Sequence, residues 1–249
     1  MIYIKSQQDI AKIKEVCKIW KKVRHVLQKK TKPGMKTEQL DRIAAETIKK
    51  NGATPTFFNY KGFPGNICIS VNDELIHGIG SQYELKNDDM VTFDIGVTYQ
   101  KYICDAAFTI VLDKKNEKAN AINDATWQCL HQAIKMIHPN VKIGNISNKI
   151  NEIATKNGYK VIKNYGGHGC GIKLHEDPLI LNYGPKNTGC RLRVGMIICL
   201  EPMLMTESDK YIVDPINKWT VKAQNKKLTC HNEHMILVTK NGYEILTND

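Results

Sequence analysis

The sequence predicts an α+β fold in which pairs of helices alternate with antiparallel hairpins. Two amphipathic segments, the second ending in an Asn-Gly pair, occupy the first half of the chain, and a similar pair occupies the second half. Two apolar segments rich in β-branched and aromatic residues lie between them. With 249 residues and no low-complexity linker, we expect one domain, 1–249, with two similar halves of about 1–112 and 113–249.

The first helix pair opens with a capping box, because Ser6 is followed three residues later by Asp9. This helix should run to about Lys30 on a single apolar stripe. The stripe consists of Ile10, Ile13, Cys17, Trp20 and Leu27. Thr37 is predicted to cap the second helix, which should end at Asn51-Gly52.

The second helix pair is predicted over about 116–137, where His138-Pro139 stops the first helix, and over 146–158. The segments that follow the two Asn-Gly pairs resemble each other, since Asn59-Tyr60-Lys-Gly matches Asn164-Tyr165-Gly-Gly. This similarity at a separation of about 106 residues indicates an internal duplication, with chance similarity as the alternative.

The two apolar segments, Val91 to Val97 and Tyr102 to Val111, are typical of strands joined in a hairpin. If the short connection at Tyr99-Gln100 is a two-residue loop, facing residues have numbers that sum to 199, and Asp94 lies opposite Asp105. Their Cβ atoms would then be roughly 4.5–5.5 Å apart and would need a positive charge between them. The alternatives are a solvated face and a bulge that shifts the register.

Four carboxylates lie inside or beside strongly apolar stretches, and with one histidine they follow the order Asp94, Asp105, His168, Glu201, Glu233. An ionised carboxylate in an apolar strand costs several kcal/mol unless a cation or hydrogen-bond donors compensate it. Four such residues indicate a shared compensating charge. A pair of divalent metal ions would supply it.

A glycine-rich segment at 164–171 is followed closely by a second histidine, so that His168 and His175 both belong to this region. Four glycines within six residues let the backbone approach a ligand closely or take up positive φ. His77, which also precedes a glycine, is a third candidate. Together with the buried carboxylates, these histidines favour a functional site over a structural role.

These motifs resemble those of the type I methionine aminopeptidases, of the bacterial single-domain kind. Only 25 residues separate His175 from Glu201, whereas type II enzymes carry an insertion there. The related prolidase, aminopeptidase P and creatinase usually carry a large extra N-terminal domain. The resemblance covers essentially the whole chain, and its motifs are GFPGNICISVNDELIHGIG, DIGVTYQKYICDAAFTIV, YGGHGCGIKLHEDP, CLEPML and NEHMILVT.

The resemblance implies the pseudo-twofold pita-bread fold and two divalent metal ions per chain. Asp94 would bind one ion, and His168 with Glu201 would bind the other. Asp105 and Glu233 would bridge the two ions. The ligand set suits Mn(II), Fe(II) or Co(II), with Zn(II) as an alternative.

The implied reaction is removal of the N-terminal methionine from nascent proteins whose second residue is small. Hydroxide generated from a water shared by the metals would attack the first peptide bond, with Glu201 as proton acceptor. His175 would hydrogen-bond the carbonyl oxygen or the oxyanion, and His77 the scissile amide. A substrate α-amino group at the metals would explain an aminopeptidase, and a formylated terminus would first need a deformylase.

The methionine side chain would bind an apolar pocket. The matching positions are Tyr60, Phe63, Cys68 and Trp219. Three residues depart from the family pattern: Leu174 replaces an aromatic residue, Phe63 a frequent tyrosine, and His231 a frequent glutamine. These departures concern the pocket shape and the discrimination of the second residue.

The net charge of +11 invites a nucleic-acid-binding hypothesis, but only four of the 36 basic residues are arginine and the lysines spread along the whole chain. A basic cluster at 12–32 is interpreted as a solvated helix face or, alternatively, as a site for transient docking on ribosomal RNA. It consists of Lys12, Lys14, Lys18, Lys21, Lys22, Arg24, Lys29, Lys30 and Lys32.

Other features favour a cytoplasmic enzyme without membrane partners, and the resemblance implies a monomer. The sequence contains no apolar run of 18 residues and no signal-peptide pattern at its start. Its eight cysteines include no C-x-x-C pair, which is typical of a reducing compartment. Two other functions remain as alternatives, a peptidase for Xaa-Pro bonds and a binding protein that has lost catalysis.

Overall fold

A computed structural model of the chain describes residues 1–248. Four α-helices are present in this range, with one short 3₁₀ turn at Tyr60–Gly62. None of the described helices is long and apolar enough to cross a membrane. The helices are α1 (Gln7–Lys30), α2 (Thr37–Lys50), α3 (Glu117–Ile134) and α4 (Ile143–Lys156).

The described strands form four antiparallel sheets. The strands are β1 (Thr54–Pro55), β2 (Cys68–Val71), β3 (Glu74–Ile76), β4 (Met90–Tyr99), β5 (Tyr102–Val111), β6 (Tyr159–Val161), β7 (Gly166–Gly169), β8 (Glu176–Leu181), β9 (Ile197–Leu200), β10 (Met203–Thr206), β11 (Tyr211–Val213), β12 (Val221–Ala223), β13 (Thr229–His231), β14 (His234–Thr239) and β15 (Gly242–Ile245). The largest sheet has the order β15-β14-β9-β7-β8, and in a second sheet β4 pairs with β5, β2 and β1. Two three-stranded sheets have the orders β13-β10-β6 and β11-β12-β3.

The first helix pair has the predicted bounds but a different second cap. The Ser6 hydroxyl accepts from the Asp9 N–H, which confirms the predicted capping box. The prediction that Thr37 caps α2 is wrong, because Lys36 is the N-cap and Thr37 is the first helical residue. The backbone N–H of Lys36 donates to the Gln39 side chain, while the Thr37 hydroxyl donates to the carbonyl oxygen of Ser81 at 3.2 Å.

The second helix pair differs from the prediction by three residues at one end of each helix. α3 ends at Ile134, and the next residues continue only as a turn in which the N–H of Ile137 donates to the carbonyl oxygen of Ile134. α4 begins at Ile143 rather than at 146, with Gly144 in its first turn. A Cβ atom on Gly144 would lie 2.4 Å from the Thr188 hydroxyl oxygen, so this turn packs too closely for a side chain.

The central hairpin of β4 and β5 has a register different from the predicted one. Its loop is Gln100-Lys101, and both residues have positive φ, at +48° and +69°. Asp94 therefore faces Ala107, and Asp105 faces Gly96, so the predicted direct pairing of the two aspartates is wrong by two residues. The two remain diagonal neighbours on one face. Such turns usually contain glycine or Asn-Gly. Because this loop contains neither, its position could not be located from the sequence.

The hydrophobic core braces the strands that carry the acidic residues. Trp20 of α1 is fully buried, and its ring contacts Phe108 edge-on at 6.3 Å. The indole N–H donates to the carbonyl oxygen of Ala106 at 3.2 Å, directly beside Asp105. The apolar stripe predicted for the first helix thus holds β5 in place. A second core cluster lies between α3, α4 and strands β9 and β14.

Candidate active site

The five candidate ligands come from separate strand segments that meet in one place. Asp94 lies on β4, Asp105 on β5 and His168 on β7, while Glu201 directly follows β9 and Glu233 directly precedes β14. The pairing of β7 with β9 puts His168 opposite Cys199. The N–H of Glu233 donates to the carbonyl oxygen of Ala107 at 3.0 Å, which joins the two sheets at the site.

The distances among these side chains are those of a compact cluster. The Nε2 atom of His168 lies 3.8 Å from Oδ2 of Asp105 and 3.5 Å from Oε1 of Glu201. One ligand atom each from Asp105, His168 and Glu233 lies within 4.8 Å of the others. All five residues line a single cavity of about 330 Å³.

Three oxygens of the cluster are buried without a hydrogen-bond partner: Oδ1 of Asp94, Oδ1 of Asp105 and Oε1 of Glu233. Asp105 and Glu233 are only 4% and 2% exposed. Leaving a buried polar atom unpaired costs about 1–3 kcal/mol, and more when the group is charged. A set of carboxylate oxygens and one imidazole nitrogen with unpaired lone pairs fits divalent cations.

The protonation of the cluster reflects its burial. Desolvation raises the pKa of Asp94 to about 6. Burial, followed by the charges of Glu233 and Asp94, raises the pKa of Asp105 well above its ordinary value. Burial and the charges of Glu201 and Asp94 do the same for the pKa of Glu233. The face is therefore not a solvated one, and a bound cation would favour the ionised form of these carboxylates.

The pKa of Glu201 is lowered rather than raised, because a histidine side chain faces its carboxylate. Burial by itself would raise its pKa, but the close contact with His231 and the charges of His168 and His231 outweigh burial and lower the pKa. Nε2 of His231 lies 3.4 Å from Oε2 of Glu201, and His231 is almost completely buried. Sequence analysis identified His231 only as a departure from a family pattern, whereas the structure places it against Glu201.

His77 and His175, the other two histidines predicted to belong to the site, flank the cluster within the same cavity. The His175 ring lies 4.4 Å from the His168 ring, and its Nδ1 is 3.0 Å from the Tyr60 hydroxyl. Burial, followed by the charge of His168, lowers the pKa of His175 to about 4. Burial also lowers the pKa of His77, whose ring contacts Trp219 and Tyr165. Both rings are thus uncharged at neutral pH and can form directional hydrogen bonds.

One wall of the cavity is apolar and aromatic. Phe63 packs edge-on against Trp219 at 5.3 Å between ring centroids. Cys68 on β2 faces Asp94 on β4, so this wall adjoins the carboxylates directly. Sequence analysis did not assign Met203, which also lines the cavity; its position two residues after Glu201 was the available signal. The predicted pocket residues Tyr60, Phe63, Cys68 and Trp219, with Leu174, all line this cavity.

The glycine-rich segment serves the packing of strands around His168. A Cβ atom on Gly167 would lie 2.1 Å from the carbonyl oxygen of Cys199, and one on Gly169 would lie 2.4 Å from that of Asp177. The close approach expected for a ligand is therefore an approach between neighbouring strands. Only Gly171 of the segment's glycines uses a positive φ, at +121°.

Comparison with known proteins agrees with this geometry. Residues 11–240 match the model of metallopeptidase family M24. The chain is 43% identical to a methionine aminopeptidase of Mycoplasma genitalium, over 100% of both sequences. It superposes on the methionine aminopeptidase of Thermotoga maritima with a TM-score of 0.97 and 36% identity, covering 100% of both chains.

The wider fold relationship extends to a prolidase from Pyrococcus furiosus, with a TM-score of 0.81 and 24% identity over 99% of this chain and 65% of that one. This likeness confirms the pita-bread fold, in which helices back antiparallel sheets around the acidic cluster. The similarity to the aminopeptidases is stronger in identity and covers their full length. The chain therefore belongs to metallopeptidase family M24 and, within it, to the methionine aminopeptidases.

Proposed function

We propose that this chain is a metal-dependent methionyl aminopeptidase, which removes the N-terminal methionine from nascent proteins when the second residue is small. The observation that carries this proposal is the single cavity that joins an aromatic, apolar wall to the carboxylate and histidine cluster. An apolar pocket beside a few convergent polar groups is the usual form of a substrate site. The family of the relatives supports the same function.

The proposed metal site holds two divalent cations, chosen from cobalt, manganese, iron and zinc. Asp94, Asp105, His168, Glu201 and Glu233 would hold them, and four carboxylates balance their four positive charges. The unpaired buried oxygens support this assignment. When bound, the cations lower the pKa of a coordinated water and polarise the peptide carbonyl.

The proposed catalytic residues act around the scissile bond. Glu201 is the proton acceptor, because its lowered pKa keeps it ionised at neutral pH. His175 donates a hydrogen bond to the carbonyl oxygen as negative charge develops on it. The Tyr60 hydroxyl, 3.0 Å from Nδ1 of His175, orients this ring and leaves Nε2 free to act. His77 contacts the scissile amide from the other side.

The proposed methionine pocket uses the aromatic wall of the cavity. Phe63 and Trp219 hold the side chain by their edge-on packing, and Cys68 lies at the boundary with the cluster. A free α-amino group reaches the cluster, whereas a formylated one does not, so a deformylase acts first. Leu174 gives the wall a smaller side chain than an aromatic residue would.

Three peptides test this function. The protein is stripped of metal with a chelator and reconstituted with Mn(II) or Co(II), and release of free amino acids is measured. We expect methionine from Met-Ala-Ser and none from Met-Lys-Ser, with activity abolished by chelator. Cleavage of an Ala-Pro peptide alone would assign the protein to Xaa-Pro hydrolysis. Inactivity of a folded, metal-loaded protein on all three would favour a binding role.

We further propose that the enzyme works as a monomer in the cytoplasm and docks transiently on ribosomal RNA through the lysines of α1. Lys18, Lys29 and Lys30 are exposed on this helix. Arg24, counted in the predicted cluster, is buried over the Trp20 ring and does not contribute to that face. Co-sedimentation with ribosomes that decreases with salt tests the docking, and absence of binding at low salt refutes it.

A further inference from the structure

Residues 1–5 fold against the strand that follows His175. Ile2 forms a parallel bridge with Asp177, next to the start of β8. The Lys5 ammonium forms an ion pair with the Glu176 carboxylate, and the two side chains are only 1% and 0% exposed. This buried ion pair holds residues 1–5 against the start of β8.

The same carboxylate organises the loop that leads to His175. One oxygen of Glu176 pairs with Lys5, while the other accepts the backbone N–H groups of Ile172 and Lys173 at 2.8 and 3.0 Å. Glu176, the first residue of β8, directly follows His175, whose ring lines the cavity. Fixing the Glu176 side chain in the interior therefore fixes the backbone from which the His175 ring projects into the cavity.

The N-terminal segment also contacts this loop by packing. A Cβ atom on Gly171 would lie 3.3 Å from Cε of Lys5 and 2.7 Å from Cδ1 of Ile13, so the loop backbone rests on both side chains. The carbonyl oxygen of Gly171 accepts from the N–H of Ile103 on β5 at 2.9 Å. The loop is thus held between the N-terminal segment and the strand that carries Asp105.

We propose that Lys5 and Glu176 are positioning residues for His175, so that the N-terminal segment is part of the catalytic scaffold. This inference rests on the proposed function, which assigns His175 to the substrate carbonyl. Without Lys5 the Glu176 carboxylate is a buried charge with no cation, and the structure relieves it by admitting water or a proton. Either change loosens the loop. A displacement of about 1 Å at a catalytic group can lower a rate by about 10²-fold.

The test compares four variants as Mn(II)-loaded enzymes with Met-Ala-Ser: Lys5→Met, Glu176→Gln, the double variant, and Lys149→Met as a matched control. Lys149 forms an ion pair of 2.9 Å with Glu152 on the surface of α4, where the side chains are 31% and 51% exposed. We expect Lys5→Met to lower kcat by about 10- to 100-fold, with KM and metal content unchanged. The control retains full activity.

The double variant distinguishes positioning from a simple loss of packing. It leaves no uncompensated buried charge, and the glutamine oxygen still accepts from Ile172 and Lys173, so kcat should recover most of the loss seen in Lys5→Met. Side-chain NMR resonances of His175, recorded with diamagnetic Zn(II) in place of paramagnetic Mn(II), should shift in Lys5→Met and not in Lys149→Met. This second readout does not depend on turnover, so it separates failure of the inference from failure of the proposed function.

Three results would overturn the inference. One is a lower melting temperature in Lys5→Met with unchanged kcat and unchanged His175 resonances. Another is loss of metal from Lys5→Met, which would place the effect in the cluster. If Lys5→Met does not fold, the third would be unchanged kcat and unchanged His175 resonances in Glu176→Gln, which leaves the buried Lys5 ammonium without its carboxylate partner.

Discussion

Replacing Asp94 by asparagine should stabilise the metal-free protein while it removes a proposed metal ligand. In the folded chain, burial raises the pKa of Asp94 from 3.8 to about 6. A carboxyl group with a raised folded-state pKa contributes stability that is fully present below about pH 4 and is lost as pH rises through about 6. At about pH 8 the ionised, buried group therefore destabilises the metal-free fold, and asparagine does not.

The magnitude follows from the size of this shift. About two pKa units at 1.36 kcal/mol each correspond to roughly 3 kcal/mol in favour of Asp94→Asn at about pH 8. For a chain of this length, each kcal/mol raises the melting temperature by about 2–4 °C. Urea unfolding followed by circular dichroism in the presence of chelator, at about pH 5 and about pH 8, measures the difference. The advantage of the variant should shrink at the lower pH.

Asp9→Asn provides a control, because its effect on the free energy of unfolding at about pH 8 should have the opposite sign to that of Asp94→Asn. The hydrogen bonds from Ser6 and Tyr102 lower the pKa of Asp9, so this carboxylate stabilises the fold above its ordinary pKa and the contribution is lost as pH falls. Its replacement weakens the cap of α1 and should destabilise the protein at about pH 8. If Asp94→Asn destabilises the metal-free protein as Asp9→Asn does, the cost assigned to the buried charge is wrong.

Three further predictions concern the same site. Metal affinity should decrease as pH falls, because Asp94, Asp105 and Glu233, whose pKa values are raised by burial, must lose their protons on binding. Calorimetry in buffers of different ionisation enthalpy should detect the released protons, and a pH-independent affinity would contradict this. His77→Ala should lower kcat by about 10²-fold at normal metal content, since the ring lines the cavity outside the carboxylate cluster; metal analysis showing loss of the ions would refute the assignment. Gly167→Ala should lower the melting temperature and the metal occupancy, at a cost of about 1–3 kcal/mol, because its Cβ collides with the carbonyl oxygen of Cys199 beside His168. Unchanged unfolding in that variant would show that the strands can separate without cost.

The candidate site was predictable because charged carboxylates occur within apolar segments of the sequence, where they are energetically unfavourable without a compensating charge. Carboxylates inside apolar strands have few explanations, so Asp94, Asp105, Glu201 and Glu233 could be grouped without any knowledge of distance. The structure brings these four and His168 into one cavity. The role of His231 was not predictable, because its contact with Glu201 joins residues 30 positions apart through strand pairing.

Local signals also predicted most helix bounds, since caps and stop signals act within a few residues. The Ser6 capping box and the stop at Asn51-Gly52 are of this kind. The errors occurred where distant contacts compete with local preference. Lys36 rather than Thr37 caps α2, because the Thr37 hydroxyl is engaged by Ser81, 44 residues away.

The sequence by itself determined the fold class, the family and the candidate residues of the site, because hydrophobic periodicity and unusual residue types can be recognised within short stretches of sequence. Only the tertiary structure decided the register of the central hairpin, which depends on a loop of two non-glycine residues with positive φ. It alone also revealed that Lys5 reaches Glu176 beside His175. Ion pairs across 171 residues leave no local pattern, since their partners meet only when the chain has folded.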